Sequence, residues 1–253
     1  MVIDGHVHAG KGDGLTGPWN TDAPLGAYLR RARAAGIGRA VVFPALHTDY
    51  GRANLELARV VSRSRGRLIG FAFVHAGRDR GRIHEMVGTA VRQWGFRGIK
   101  VHRLDAPATR EVCEAARSFG VPVLYDVLGE PFRIELLAQQ YPDVDFIVPH
   151  LGSFADDFRA HYQVIDQLCR FPNVYTDTAG VRRFDYLVSA VRRAGPRKVI
   201  FGSDGPWLHP GLELHKIRLL QLPRRHEALV TGGNMLLLLS KAGRPSLRAV
   251  AAA

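Results

Sequence analysis

Met1-Val2-Ile3-Asp4-Gly5-His6-Val7-His8 opens the chain. It reads as a short strand, Val2 to Val7, that ends in two histidines one residue apart. Side chains alternate faces along a strand, so His6 and His8 point one way and Val7 the other. Two imidazoles side by side at a strand's end can hold one divalent ion. As a bare pattern His-x-His is weak, because it occurs by chance in many unrelated chains. Its weight depends on what later strands bring to the same place.

Seven more apolar runs follow and read as strands over residues 39–44, 68–74, 98–102, 121–126, 145–149, 173–177 and 198–202. Helical stretches separate them, over residues 25–35, 53–64, 80–94, 107–119, 131–140, 155–169 and 184–194. A last helical stretch runs from 211 to about 241, with a break expected at Gly232-Gly233. Gly36 closes the first helix, Pro131 sits at a favoured first helical position, and Asn234 suits a helix cap. Short apolar strands alternating with helices predict a parallel sheet covered on both faces. Eight such repeats over about 240 residues fit an α/β fold of the (β/α)8 TIM-barrel type, in one domain over residues 1–241. Residues 242–253 read as a loose tail. An open dinucleotide-binding sheet would carry Gly-x-Gly-x-x-Gly after the first strand, and that fingerprint is absent. The Gly-rich stretch 9–20 lacks the Gly-Lys-Ser/Thr ending of a phosphate loop and reads as a mobile loop over a site.

Composition narrows the function. The chain has 253 residues, 46% of them hydrophobic, enough for one large core. No run of 18 apolar residues exists, so neither a membrane span nor a membrane partner is expected. The N-terminus has no secretory pattern, and two cysteines, Cys113 and Cys169, imply no disulfide framework, so the cytoplasm is the expected compartment. The net charge of +12 comes mostly from arginines scattered in ones and twos. Without a dense basic stripe or stacking aromatics, no nucleic-acid partner is expected. The charge reads as a solvated surface that attracts a small anionic substrate.

In a barrel of this type the active site lies at the C-terminal ends of the strands. The first strand ends in His6-Val7-His8, the fourth in Lys100-Val101-His102, the fifth in Asp126, the sixth in His150-Leu151-Gly152 and the eighth in Ser203-Asp204-Gly205-Pro206. A single strand-end histidine is more often an ordinary hydrogen-bonded residue than a ligand, and a lone Ser-Asp-Gly is usually a turn. Five strands converging on one rim is a stronger signal. Together with Gly232-Gly233-Asn234, these motifs resemble the amidohydrolase superfamily, and within it amidohydrolase family 2, a branch of metal-dependent TIM-barrel hydrolases and decarboxylases.

The resemblance implies one divalent ion, zinc first, held by His6, His8 and Asp204. The family normally adds a histidine at the end of the fifth strand, and here that position is Asp126. As a ligand Asp126 would favour Mn²⁺ or Mg²⁺ more than imidazole does. One lactonase group of the branch works without metal, so metal-free operation stays open. A bound ion would activate water and polarise a carbonyl. Asp204 would take and pass on a proton, and His150 would stabilise or protonate the developing oxyanion. Lys100 and His102 would bind substrate; carbamylation of Lys100 between two metals is the less favoured reading. The expected activity is hydrolysis of an amide, lactone or ester of a small, anionic substrate. Non-oxidative decarboxylation of an aromatic or unsaturated acid is the alternative, and an inactive barrel with a binding role the second. A homodimer is one assembly open to the chain.

Overall fold

The computed structural model describes residues 1–14, 22–154 and 157–242. The predicted mobile loop at 9–20 and the predicted tail fall partly outside these residues. In chain order the elements are β1 (Val2–Ala9), α1 (Leu25–Ala34), β2 (Ile37–Pro44), α2 (Tyr50–Ser62), β3 (Leu68–Gly70), β4 (Ala72–Phe73), α3 (Ile83–Arg92), β5 (Ile99–His102), α4 (Arg110–Phe119) and β6 (Val123–Asp126). There follow α5 (Phe132–Gln140), β7 (Phe146–Val148), α6 (Phe158–Arg170), β8 (Val174–Asp177), α7 (Phe184–Ala194), β9 (Val199–Ile200), α8 (Pro210–Leu219), α9 (Arg224–Ala228) and α10 (Asn234–Leu239).

All strand pairings are parallel and run in chain order, β1-β2-β3 and then β4 through β9. β3 and β4 are two halves of the third barrel strand. Between them Phe71 donates its N–H to Val42 on one side, and Ala72 donates to Gly98 on the other. The seam closes where Gly5 N–H reaches Phe201 O at 2.8 Å and His8 N–H reaches Gly205 O at 2.7 Å. The result is an eight-stranded (β/α)8 barrel.

Alternation divides the buried side chains. Ile3, Val41, Phe43, Phe71, Phe73, Leu124, Ile147 and Ile200 form an inner cluster, joined by Met235, Leu238 and Leu239 of α10. Their strand neighbours Val42, Val101, Val123 and Val148 pack outward against the helices. With the buried Lys100 against Phe43, this cluster fills the barrel, which is a packed core below the rim.

Local signals explain most helix ends, with shifts from the predicted bounds. Asp157 caps α6, accepting the N–H groups of Arg159 and Ala160, so this helix starts at Phe158 rather than at 155. Asp49 caps α2 through Arg52 N–H. The expected break at Gly232-Gly233 does not occur. The chain passes through a π-helical turn, Leu229–Gly233, straight into α10. The interruption falls earlier, where Gln221 has φ 50° and Pro223 precedes α9. Asn234 is no cap: its side-chain N–H groups donate to Pro196 O at 2.7 Å and Val199 O at 2.8 Å, anchoring the start of β9.

Gly232 lies against β1, and a Cβ there would meet the Met1 carbonyl oxygen at 2.5 Å, a backbone atom that cannot rotate away. Gly232→Ala should therefore destabilise the fold by about 1–3 kcal/mol through overpacking, read as a lowered midpoint in urea or thermal unfolding.

Candidate active site

His6 and His8 lie on one face of β1, and both rings touch Phe43, with centroids 5.1 and 4.6 Å away. His6 Nδ1 is 2.7 Å from Asp177 Oδ2 at the end of β8. His8 Nδ1 is 3.2 Å from the Pro44 carbonyl at the end of β2. A carbonyl accepts only, and so does an ionised carboxylate, so each Nδ1 carries the proton and each Nε2 presents its lone pair. Both Nε2 atoms face Asp204 Oδ1, at 3.4 and 3.5 Å. His6 Nε2 is buried and has no hydrogen-bond partner. One donor atom from each of these three side chains lies within 4.8 Å of the others. Burial lowers His6 to about 4, and His8 well below its ordinary value, so both rings are neutral near pH 7. Two neutral imidazoles and a carboxylate with an orphaned nitrogen fit a divalent ion of the zinc type.

Asp204 sits in a left-handed backbone, φ 54°. Its neighbour Ser203 holds it there, bound by Asp4. The Asp4 carboxylate accepts Ser203 N–H at 2.9 Å, Tyr28 O–H at 2.9 Å, His6 N–H at 3.2 Å and the Ser203 hydroxyl. Burial pushes Asp4 up to about 7 against these donors, and pushes Asp204 up to about 7 as well.

His150 follows β7 in a left-handed turn, φ 58°, that continues through Leu151 at 50°. Its Nδ1 lies 2.7 Å from Ala179 O and its backbone N–H donates to Asp177 Oδ1 at 3.0 Å. With Nδ1–H donated, Nε2 lies 3.5 Å from Asp126 Oδ2. Burial disfavours the charged ring, but the contact with Asp126 outweighs it and raises His150 to about 9. His150 is therefore an imidazolium at neutral pH. His102 Nε2 is 3.2 Å from the same Asp126 oxygen. Lys100 lies beneath, fully buried, its ammonium 5.0 Å from the Phe43 ring centroid and without a hydrogen-bond partner. Burial lowers its pKa, opposed by Asp126, Asp177 and Asp204.

The family model Amidohydro_2, described as amidohydrolase, matches residues 3–235. The chain belongs to the amidohydrolase family. No curated protein matches it in sequence. Solved structures share the fold at low identity. One is an amidohydrolase from Burkholderia multivorans with bound zinc, 14% identical, covering 95% of this chain and 99% of that one at a TM-score of 0.78. Another is 5-carboxyvanillate decarboxylase LigW from Sphingomonas paucimobilis, 13% identical, covering 96% and 99%, TM-score 0.73. A third is a proposed 2-pyrone-4,6-dicarboxylic acid hydrolase from Pseudomonas putida, 20% identical, covering 95% and 97%, TM-score 0.71. The chain is thus an enzyme of the amidohydrolase superfamily.

In this amidohydrolase the rim brings His6, His8, Asp204 and His150 together, with His102 and Asp126 beside them. Asp126 lies outside the clusters of converging donor atoms found among the described residues, which are His6/His8/Asp204 and His6/His150/Asp177. Lys100 is placed below the rim with no exposed surface, and His102 is the more open of the two expected substrate contacts, its side chain 15% exposed. His47 and His75 accept backbone N–H groups in their own loops. Three residues escape the sequence reading. Asp177 ends its strand as visibly as Asp126 does, and an acid after an apolar run was the available signal. Asp4 stands in the opening motif itself, where only the fold shows that it grips Ser203. Trp207, whose ring centroid is 4.5 Å from that of His8, was also overlooked.

Two outcomes follow for metal binding. Asp177→Asn should weaken zinc binding about 10- to 100-fold, because the partner that orients His6 is lost; chelator competition measures it. Asp204 must shed its proton to ligate, so zinc affinity should fall as pH drops below about 7 and level off above it, while His6, at about 4, adds nothing in that range.

Proposed function

We propose that this enzyme is a metal-dependent hydrolase that opens an amide, lactone or ester bond of a small anionic substrate. The observation that carries the reading is the pair of Nε2 lone pairs of His6 and His8 turned on Asp204 Oδ1 at 3.4 and 3.5 Å. These three side chains would hold the ion. Bound there, it would supply Lewis acidity to a substrate carbonyl and lower the pKa of water.

The chain's own residues account for the proton traffic. A carboxylate has two oxygens. With Oδ1 turned to the imidazoles, Asp204 can accept a proton from the attacking water on Oδ2 and hand it to the leaving group. His150 enters as an imidazolium, so it can donate a hydrogen bond to the oxyanion that forms at the former carbonyl. Lys100, sealed below with no exposed surface, does not touch the substrate; burial lowers its pKa, and Asp126, Asp177 and Asp204 oppose that. His102, at the open side, is the candidate contact.

Decarboxylation of an aromatic or unsaturated acid is the second reading. The buried imidazolium of His150 favours it, since that chemistry needs an acid to protonate carbon. The solved structures of like fold include both a decarboxylase and a proposed pyrone hydrolase.

The experiment compares zinc-loaded and metal-stripped protein on carboxylated lactones and pyrones and on hydroxybenzoates. Ring opening that returns with zinc is the expected result. Release of CO₂ from the benzoates without ring opening would select the second reading, and activity indifferent to metal would overturn the metal-dependent one. Asp204→Asn should lose about 10²- to 10⁴-fold in kcat while its circular dichroism stays that of the parent.

A further inference from the structure

Asp126 holds the fifth barrel position, and the reaction proposed above assigns it no task. The parallel register of β5 and β6 sets it directly beside His102. Its Oδ1 accepts Leu128 N–H at 2.9 Å. Its Oδ2 lies 3.2 Å from His102 Nε2 and 3.5 Å from His150 Nε2. The other nitrogen of each ring fixes the protons. His102 Nδ1 accepts Leu104 N–H at 3.0 Å, so it carries none, and the proton of the neutral ring is on Nε2. His150 Nδ1 gives its proton to Ala179 O. Both Nε2 atoms therefore turn to a single carboxylate oxygen, and the carboxylate is held from its other side by backbone.

We propose that Asp126 is a positioning residue that ties His150 to His102 through one carboxylate oxygen, so that a rim histidine fixes the orientation of the buried one. The inference rests on the reading of this rim as the reaction site. A metal ligand must turn a donor atom on the His6, His8 and Asp204 atoms, and among the described residues Asp126 is not one of those whose donor atoms converge there. His102 cannot take a proton from Asp126, because its Nε2 already bears one; it is a fixed donor that keeps the carboxylate in place. The tether runs from His102, partly open to solvent, through Asp126 to the nearly buried His150, and it lets the choice of side chain at the rim set the pose of that group.

The test reads the imidazoles directly in zinc-loaded protein labelled with ¹⁵N at histidine, using long-range proton–nitrogen correlation. In the parent chain His102 should show the Nε2–H tautomer. Asp126→Asn should move the His102 and His150 signals, leave those of His6 and His8 in place, and change zinc affinity by less than the roughly tenfold loss expected when a ligand's partner is removed. His102→Gln, at the open end, should move the His150 signals as well, since the link between them runs through Asp126. Loss of zinc in Asp126→Asn would overturn the proposal and make Asp126 a ligand. His150 signals unmoved in both variants would overturn it too. A parent chain that binds no zinc would sink the metal-dependent reading, and shifts of His150 in the two variants would still support the tether.

Discussion

The seam between the first strand and the last governs this site. Gly5 N–H on Phe201 O and His8 N–H on Gly205 O close the barrel, and with that closure His6 and His8 come across from Asp204. A slip of one residue along that seam would turn both histidines away from the interior, because strand side chains alternate with period two. Asp4 resists the slip. Its buried carboxylate takes donors from Ser203, Tyr28 and the His6 backbone, and linking Ser203 to Asp4 spans 199 positions of sequence. Any other register would strand some of these donors, at about 1–3 kcal/mol for each one left buried without a partner. The residue two before the histidine pair thus keeps the pair in register with the carboxylate it meets.

What could be read from the sequence follows the same physics. The strands were legible because each is a short apolar run, and the rim residues because a polar side chain that ends such a run can only sit at a strand's end. His6, His8, His150 and Asp204 were found that way. Partnership was not legible. Asp177 meets His6 from 171 positions away, and nothing in Val174-Tyr175-Thr176-Asp177 says which imidazole its carboxylate will face. Nor does the sequence show that Lys100, on the same strand face as His102, is sealed under Phe43 rather than set at the rim. Local propensity also yielded to packing at Gly232-Gly233, where contact with Met1 and the two hydrogen bonds of Asn234 carry the helix through a pair of residues that would end it in isolation.

The left-handed residues at the rim show how the site is held to one geometry. Asp204, His150 and Leu151 all have positive φ without being glycine. Such positions cost about 1–3 kcal/mol each and persist only where neighbours over-determine them. Here the neighbours are identifiable. Asp177 accepts the backbone N–H groups of His150 and Ala179 on one oxygen and the imidazole of His6 on the other, so one carboxylate fixes both the turn that presents the acid and the ring that presents a lone pair. His161 steadies the next residue of that turn, its Nδ1 3.0 Å from Leu151 O. On the other side, the Ser203 hydroxyl, itself on Asp4, accepts Gly205 N–H at 3.1 Å and spans the strained Asp204 between them. The strain is thus balanced by hydrogen bonds that also aim the reactive groups. A side chain set by a constrained backbone has few other poses, which limits the reorganisation needed when charge develops on a bound substrate.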